Sequence, residues 1–192
     1  MSTQGVPYLT PEQYLEIERA AEVRSEYLAG AMYAMAGASV NHGRIVGNTF
    51  AVLHQQLQGG DCEAAILDTR LAVLSHDLIT YPDIFVRCGP DQYLDNRRDT
   101  LTDATLIIEV LSVSTKNYDR REKVFFYRSL PSFREYLLIA QDRIFVEHHI
   151  RQQDGAWLMR EYTSLSDEIE LTSIGCSLKL DAVYVRVEFD RA

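Results

Sequence analysis

The run Leu106-Ile107-Ile108-Glu109-Val110-Leu111 places one glutamate among five aliphatic residues. A stretch this short, apolar and rich in branched side chains predicts a buried strand. An ionised carboxylate taken out of water costs several kcal/mol unless something compensates it. Glu109 therefore requires a partner, and its identity bears on both fold and function.

Several elements are legible around this strand. Thr10-Pro11-Glu12-Gln13 reads as an N-cap, a proline at the first helical position and a capping box, opening a short helix to about Ala21. Ser25 to Leu28 and Ala31 to Met35 flank Ala29-Gly30 as a two-residue hairpin. Val46, Phe50, Leu53 and Leu57 recur three or four apart, which predicts an amphipathic helix from Ser39 to about Gln58. Strands are expected over Glu63 to Ser75 (with a bend), Pro82 to Arg87 and Leu106 to Leu111, separated by the polar loop GPDQYLDNRRDTLTD, the segment expected to be most mobile. A second main helix is read from Asp119 to Leu130, ended by Pro131. Glu135 to Ile139 and Arg143 to Glu147 then form a strand pair, and two or three further strands follow Trp157.

The 192 residues suffice for one domain with a sizeable core. With no linker or repeat in view, the expectation is a single α/β domain, its core at about 8–187, built on a mixed β-sheet flanked by helices. No run of eighteen apolar residues and no leader pattern is present, so membrane partners and export are not expected. Cys62, Cys88 and Cys176 are widely spaced, which reads as reduced thiols in a cytoplasmic protein. A net charge of −9 argues against coating nucleic acid by bulk electrostatics, so any polyanion must bind locally. The chain has neither a Gly-x-Ser-x-Gly elbow nor a Gly-x-x-x-x-Gly-Lys loop, which sets aside serine hydrolysis and P-loop chemistry.

The strand Tyr81-Pro82-Asp83-Ile84-Phe85-Val86 is the second whose apolar pattern is broken by one acid. If it neighbours the strand of Glu109, the two carboxylates stand about 5 Å apart and repel unless a cation lies between them. Oxygen ligands without paired Cys or closely spaced His suit Mg²⁺ or Mn²⁺. A purely structural reading stays open: Glu109 could pair with Arg120 or Arg134, and Pro-Asp could be turn chemistry. On the second main helix Lys123, Phe126, Tyr127 and Leu130 share one stripe, which turns Lys123 inward, as a site residue or as an ordinary snorkelling lysine.

With these residues in place, the chain resembles the PD-(D/E)XK nuclease superfamily and, within it, the Uma-type restriction-endonuclease-like group. The likeness rests on Pro82-Asp83, Glu109-Val110-Leu111-Ser112, Ser114-Thr115, Asp119, Lys123, Tyr127 and Glu135-Tyr136, and takes in the Glu26 to Met35 hairpin. It implies a restriction endonuclease-like core with an N-terminal hairpin and extra C-terminal strands. It also implies Asp83 and Glu109 as catalytic metal ligands, the Val110 carbonyl as a third ligand and Mg²⁺ (or Mn²⁺) as cofactor. Leu111 stands where the superfamily usually has lysine, so Lys123 is the candidate to orient water and offset developing charge, with Lys116 as competitor. Glu26 occupies the place of an extra acid seen in many members, or is an exposed hairpin charge. His42 points toward the sheet as a base, or is a satisfied, partly buried histidine.

Two functions follow from this resemblance. One is a metal-dependent endonuclease hydrolysing DNA phosphodiester bonds, using some of Arg87, Arg97, Arg98, Lys116, Arg120 and Arg121 for phosphate contact. The other is a catalytically weak or inactive nuclease-fold module that binds nucleic acid or a protein partner. Cutting both strands would gain from a homodimer, for which the C-terminal strands offer a surface.

Overall fold

The computed structural model describes residues 8–66, 68–112 and 118–189; Lys116 lies outside them. Helix α1 (Pro11–Ala20) starts at Thr10, whose side chain accepts from Gln13 N while the Gln13 side chain accepts from Thr10 N, a complete capping box. Strands β1 (Ser25–Leu28) and β2 (Ala31–Ala34) are joined through Ala29 and Gly30 at φ 47° and 87°, the left-handed pair that a tight two-residue hairpin needs. Helix α2 (Val40–Leu57) is capped by Ser39.

Next come β3 (Cys62–Ile66), β4 (Arg70–Val73), β5 (Leu78–Thr80), β6 (Ile84–Cys88), β7 (Thr100–Leu101) and β8 (Leu106–Leu111). A π-helical turn, Asp119–Lys123, leads into the short helix α3 (Val124–Tyr127). The remainder is β9 (Glu135–Ala140), β10 (Val146–Arg151), β11 (Trp157–Tyr162), β12 (Glu168–Leu171), β13 (Cys176–Lys179) and the one-turn helix α4 (Leu180–Val183).

The central sheet has the order β11-β10-β9-β8-β6-β3, with β8 and β9 parallel and the other pairs antiparallel. A second sheet, β2-β1-β5-β4-β7, and the β12-β13 hairpin complete a mixed α/β fold. Alternation along β8 explains how the layers pack. Leu106, Ile108 and Val110 join Ile45, Val46 and Leu53 of α2 and the C-terminal Ile169, Leu171 and Leu178 in one core. Ile107 and Leu111 face the other way, into a second core with Phe85, Val124, Tyr127, Phe133 and Tyr136 and with Leu71, Val73 and Leu78 of the second sheet. Glu109 has the parity of Ile107 and Leu111, so it belongs to the face covered by α3.

Several expectations from the sequence are corrected. The Glu63 to Ser75 stretch is two strands in different sheets, β3 and β4, because apolar alternation cannot say which sheet a strand joins. The second main helix opens with a π-helical turn and ends at Tyr127, not Leu130. Strand β10 begins at Val146, after a longer connection than the Ala140-Gln141-Asp142 turn expected. The loop expected to be mobile is anchored: Arg19 Nη2 pairs with Asp95 at 2.7 Å and Asp99 at 2.8 Å, Arg70 pairs with Asp99 at 2.5 Å, and the loop carries β7.

The largest correction concerns the thiols. Cys62 and Cys88, 26 residues apart in sequence, form a disulfide, because the β3–β6 register sets them directly opposite each other with Cα atoms 4.0 Å apart. Sequence spacing carries no trace of that register. Cys176 is buried and free. Thiol titration of the unfolded, unreduced protein should therefore find one reactive thiol per chain; three would contradict the Cys62–Cys88 bond.

Candidate active site

The β6–β8 register pairs Ile84 with Ile108 and Phe85 with Ile107, and one more step sets Asp83 against Glu109. The two acids are joined through the backbone: Val110 N donates to Asp83 Oδ2 at 2.7 Å, and Asp83 N donates to Glu109 Oε2 at 3.3 Å. Glu109 is 4% exposed, whereas the Asp83 side chain is 21% exposed. The pair thus runs from a buried carboxylate to a partly exposed one.

The partner that Glu109 requires is Lys123. Its ammonium lies 3.1 Å from Glu109 Oε1, 3.0 Å from Glu26 Oε1 and 3.6 Å from Asp119 Oδ1. The π-helical turn places Asp119 and Lys123 inward, four residues apart, and Tyr127 one further turn along also donates to Glu109 Oε1, at 2.9 Å. Glu26 comes from β1 of the second sheet and accepts from the Thr80 hydroxyl. The Tyr118 ring lies 5.7 Å from the ammonium. On the opposite flank, His42 in the first turn of α2 sets Nε2 3.1 Å from Asp83 Oδ2.

Charge in this cluster is unbalanced. Glu26, Asp83, Glu109 and Asp119 surround one ammonium and one imidazole. Burial pushes the Glu109 carboxyl up to about 8; Lys123 pulls against this, while Asp83, Asp119 and Glu26 add to it. Burial opposes the charge on Lys123, but Glu109, Glu26 and Asp119 outweigh it and hold the ammonium well above its ordinary range. Burial likewise opposes the charge on His42, yet Asp83 raises it overall. Lys123 is therefore a fixed positive charge and not a proton acceptor at neutral pH.

Sequence reasoning named Glu26, His42, Asp83, Glu109 and Lys123, and the fold brings these five side chains into one connected network. Val110 contributes its amide to Asp83. Arg120 and Arg134, the structural alternatives for Glu109, are engaged elsewhere: Arg120 with Glu147 at 2.9 Å and Arg134 with the Pro131 and Phe133 carbonyls. Of the expected phosphate contacts, Arg87 is tied to Glu63 and Asp91. The sequence places Tyr127 on the inward stripe and in the family likeness without a role; its hydrogen bond to Glu109 is invisible without the fold.

A divalent ion fits the donor set in a specific way. Among the described residues no three His, Cys, Asp or Glu side chains are arranged to hold a metal. Two carboxylates completed by water and backbone are, however, the usual holding of Mg²⁺. Among the described residues Asp83 Oδ2 and Glu109 Oε1 each take two donors, while the other oxygen of each carboxylate takes at most one.

The raised Glu109 carboxyl has a stability consequence. Its folded value of about 8 exceeds the ordinary 4.5, so the native state binds the extra proton between them and loses stability as pH rises through that window. Urea unfolding in the presence of a chelator should show the midpoint falling between about pH 5 and pH 8. Glu109→Gln should flatten that slope; an identical slope in the variant would refute the assignment.

Residues 11–182 match the Uma2 family model, described as "Putative restriction endonuclease". The uncharacterized protein slr1290 of Synechocystis sp. (strain ATCC 27184 / PCC 6803 / Kazusa) is 36% identical over 185 residues, 95% of each chain. A second uncharacterized protein of that organism, sll1609, is 35% identical over 164 residues, 85% of this chain and 93% of that one. A crystal structure from Anabaena variabilis ATCC 29413, described as "a putative nuclease belonging to DUF820", aligns with TM-score 0.75 over 92% of this chain and 98% of that one, at 17% identity. That last likeness is one of fold, and it is of the restriction endonuclease-like kind expected. Together with the family match over nearly the whole chain, it leads to a plain conclusion: this protein belongs to the Uma2 family.

Proposed function

We propose that the chain is a metal-dependent endonuclease that hydrolyses DNA phosphodiester bonds at the Asp83–Glu109 site. The observation that carries this reading is the excess of carboxylates over cations around Lys123, beside the point where the β6–β8 register brings Asp83 and Glu109 together. A structural ion pair would need one carboxylate, whereas this cluster gathers four. Membership in a family described as "Putative restriction endonuclease" supports the same class of chemistry.

Asp83 and Glu109 would hold Mg²⁺ or Mn²⁺, with the Val110 carbonyl as a further ligand. The bound ion would supply the Lewis-acid chemistry of phosphoryl transfer. Lys123, fixed and charged, offers electrostatic stabilisation to negative charge developing on the phosphoryl oxygens. It would serve in place of the lysine that the chain lacks two places after Glu109, where the buried Leu111 packs into the core instead. Glu26 and Asp119 hold the ammonium in place. His42, with Nε2 on Asp83, is the nearest group able to accept or return a proton.

The substrate is read as DNA, approached from the exposed side of Asp83, with Arg121 on the outer face of the π-helical turn available for phosphate. A homodimer would place one site on each strand. No helix among the described residues is long and apolar enough to cross a membrane. A cytoplasmic location is part of this proposal and stands against the Cys62–Cys88 bond, of a kind uncommon in reducing compartments.

A second reading, a weak or inactive nuclease-fold module, has one observation in its favour: three carboxylates already surround the Lys123 ammonium. Cleavage assays on supercoiled and linear DNA with Mg²⁺ or Mn²⁺ separate the two. Nicking or cutting should appear only with the ion and fall about a hundredfold or more in Asp83→Asn and in Glu109→Gln. Absence of cutting under every ion tried, or cutting that survives both substitutions, would leave the binding module as the better account.

A further inference from the structure

Glu109 is loaded unevenly. Its Oε1 accepts from both the Lys123 ammonium at 3.1 Å and the Tyr127 hydroxyl at 2.9 Å. Its Oε2 accepts, among the described residues, only the long contact from Asp83 N at 3.3 Å. A carboxylate oxygen has two lone pairs for such contacts, so Oε1 is filled and Oε2 keeps capacity on the side of Asp83.

Lys123 cannot impose this orientation alone, because its flexible stem also serves Glu26 and Asp119. Tyr127 can. It is fully buried, and its ring is held edge-on by Tyr136 at 5.7 Å and against Phe133 at 6.0 Å, which fixes the place of its hydroxyl beside Glu109. Because α3 follows the π-helical turn directly, Tyr127 falls one turn beyond Lys123 and reaches the same oxygen.

We propose that Tyr127 is a positioning residue: its hydroxyl pins Glu109 Oε1, keeping that oxygen out of coordination and turning Oε2 toward a hard divalent cation shared with Asp83. This rests on the metal-dependent reading above and adds a residue that neither the sequence nor the family likeness assigned a role. The logic is that of outer partners of metal ligands, which fix a ligand's orientation without touching the ion.

Calorimetric titration with Mn²⁺ alone tests the proposal, using wild type, Tyr127→Phe and Tyr136→Phe. Phenylalanine keeps the ring packing and removes only the oxygen. Tyr136 is equally buried in the same aromatic cluster, but its hydroxyl goes to the Asp119 carbonyl at 3.2 Å and not to Glu109. Tyr127→Phe should weaken Mn²⁺ binding about tenfold or more, while Tyr136→Phe should stay within about twofold of wild type. A purely structural role would lower the melting temperature of both variants and the affinity of neither. Wild-type affinity in Tyr127→Phe would overturn this inference and leave the metal site standing; no Mn²⁺ binding by wild type would overturn both.

Discussion

The Lys123 ammonium is the contact on which the arrangement depends. It joins three parts of the chain distant in sequence: Glu26 on the N-terminal hairpin, Glu109 in the middle of the central sheet and its own π-helical turn with Asp119. Removing a buried charge from such a set leaves its partners uncompensated, which typically costs about 3–5 kcal/mol. The same contact decides what else the cluster can take. Once Glu109 is ionised, one ammonium cannot neutralise four carboxylates and the imidazole of His42 only partly makes up the difference, so the surroundings of the ionised site favour additional positive charge near Asp83.

The sheet supplies the spacing. Antiparallel β6 and β8 bring the start of one strand beside the later part of the other, so two acids 26 residues apart in sequence become neighbours, the Glu109 carboxylate accepting from Asp83 N and the Asp83 carboxylate from Val110 N. Strand β9 runs parallel on the far side of β8 and carries Tyr136 into the aromatic wall behind Tyr127. Helix α2 covers the opposite face and delivers His42 to the strand end from its first turn. Strands and helices hold Glu26, His42, Glu109 and Lys123, and Asp83 sits directly before β6, which suits chemistry that relies on preorganised charge.

How much of this was legible in the sequence depends on the range of the signal. Local signals read well: the capping box at Thr10, the hairpin at Ala29-Gly30, the apolar stripe of α2 and the extent of β8 all follow from neighbours a few residues apart. Glu109 declared itself because a charge inside an aliphatic run is costly, and Lys123 because helical periodicity turned it inward. What failed was long-range. The Cys62–Cys88 bond depends on strand register, the division of β3 from β4 on which sheet each joins, and the anchoring of the loop after β6 on Arg19 of α1. The expected answer to the Glu109 question was an ion; the structure answers first with Lys123 and Tyr127, and leaves the ion to the residual charge. The family likeness narrowed the roles, whereas the Glu26–Lys123 contact came only with the fold.

The central claim, that Asp83 and Glu109 share a divalent cation, is tested most directly by an anomalous difference map from a crystal soaked in Mn²⁺. A peak within about 2.5 Å of an oxygen of each residue, with Lys123 still on Glu109 Oε1, is the predicted result. An empty map there, with both carboxylates keeping the protein partners described above and no others, would contradict it.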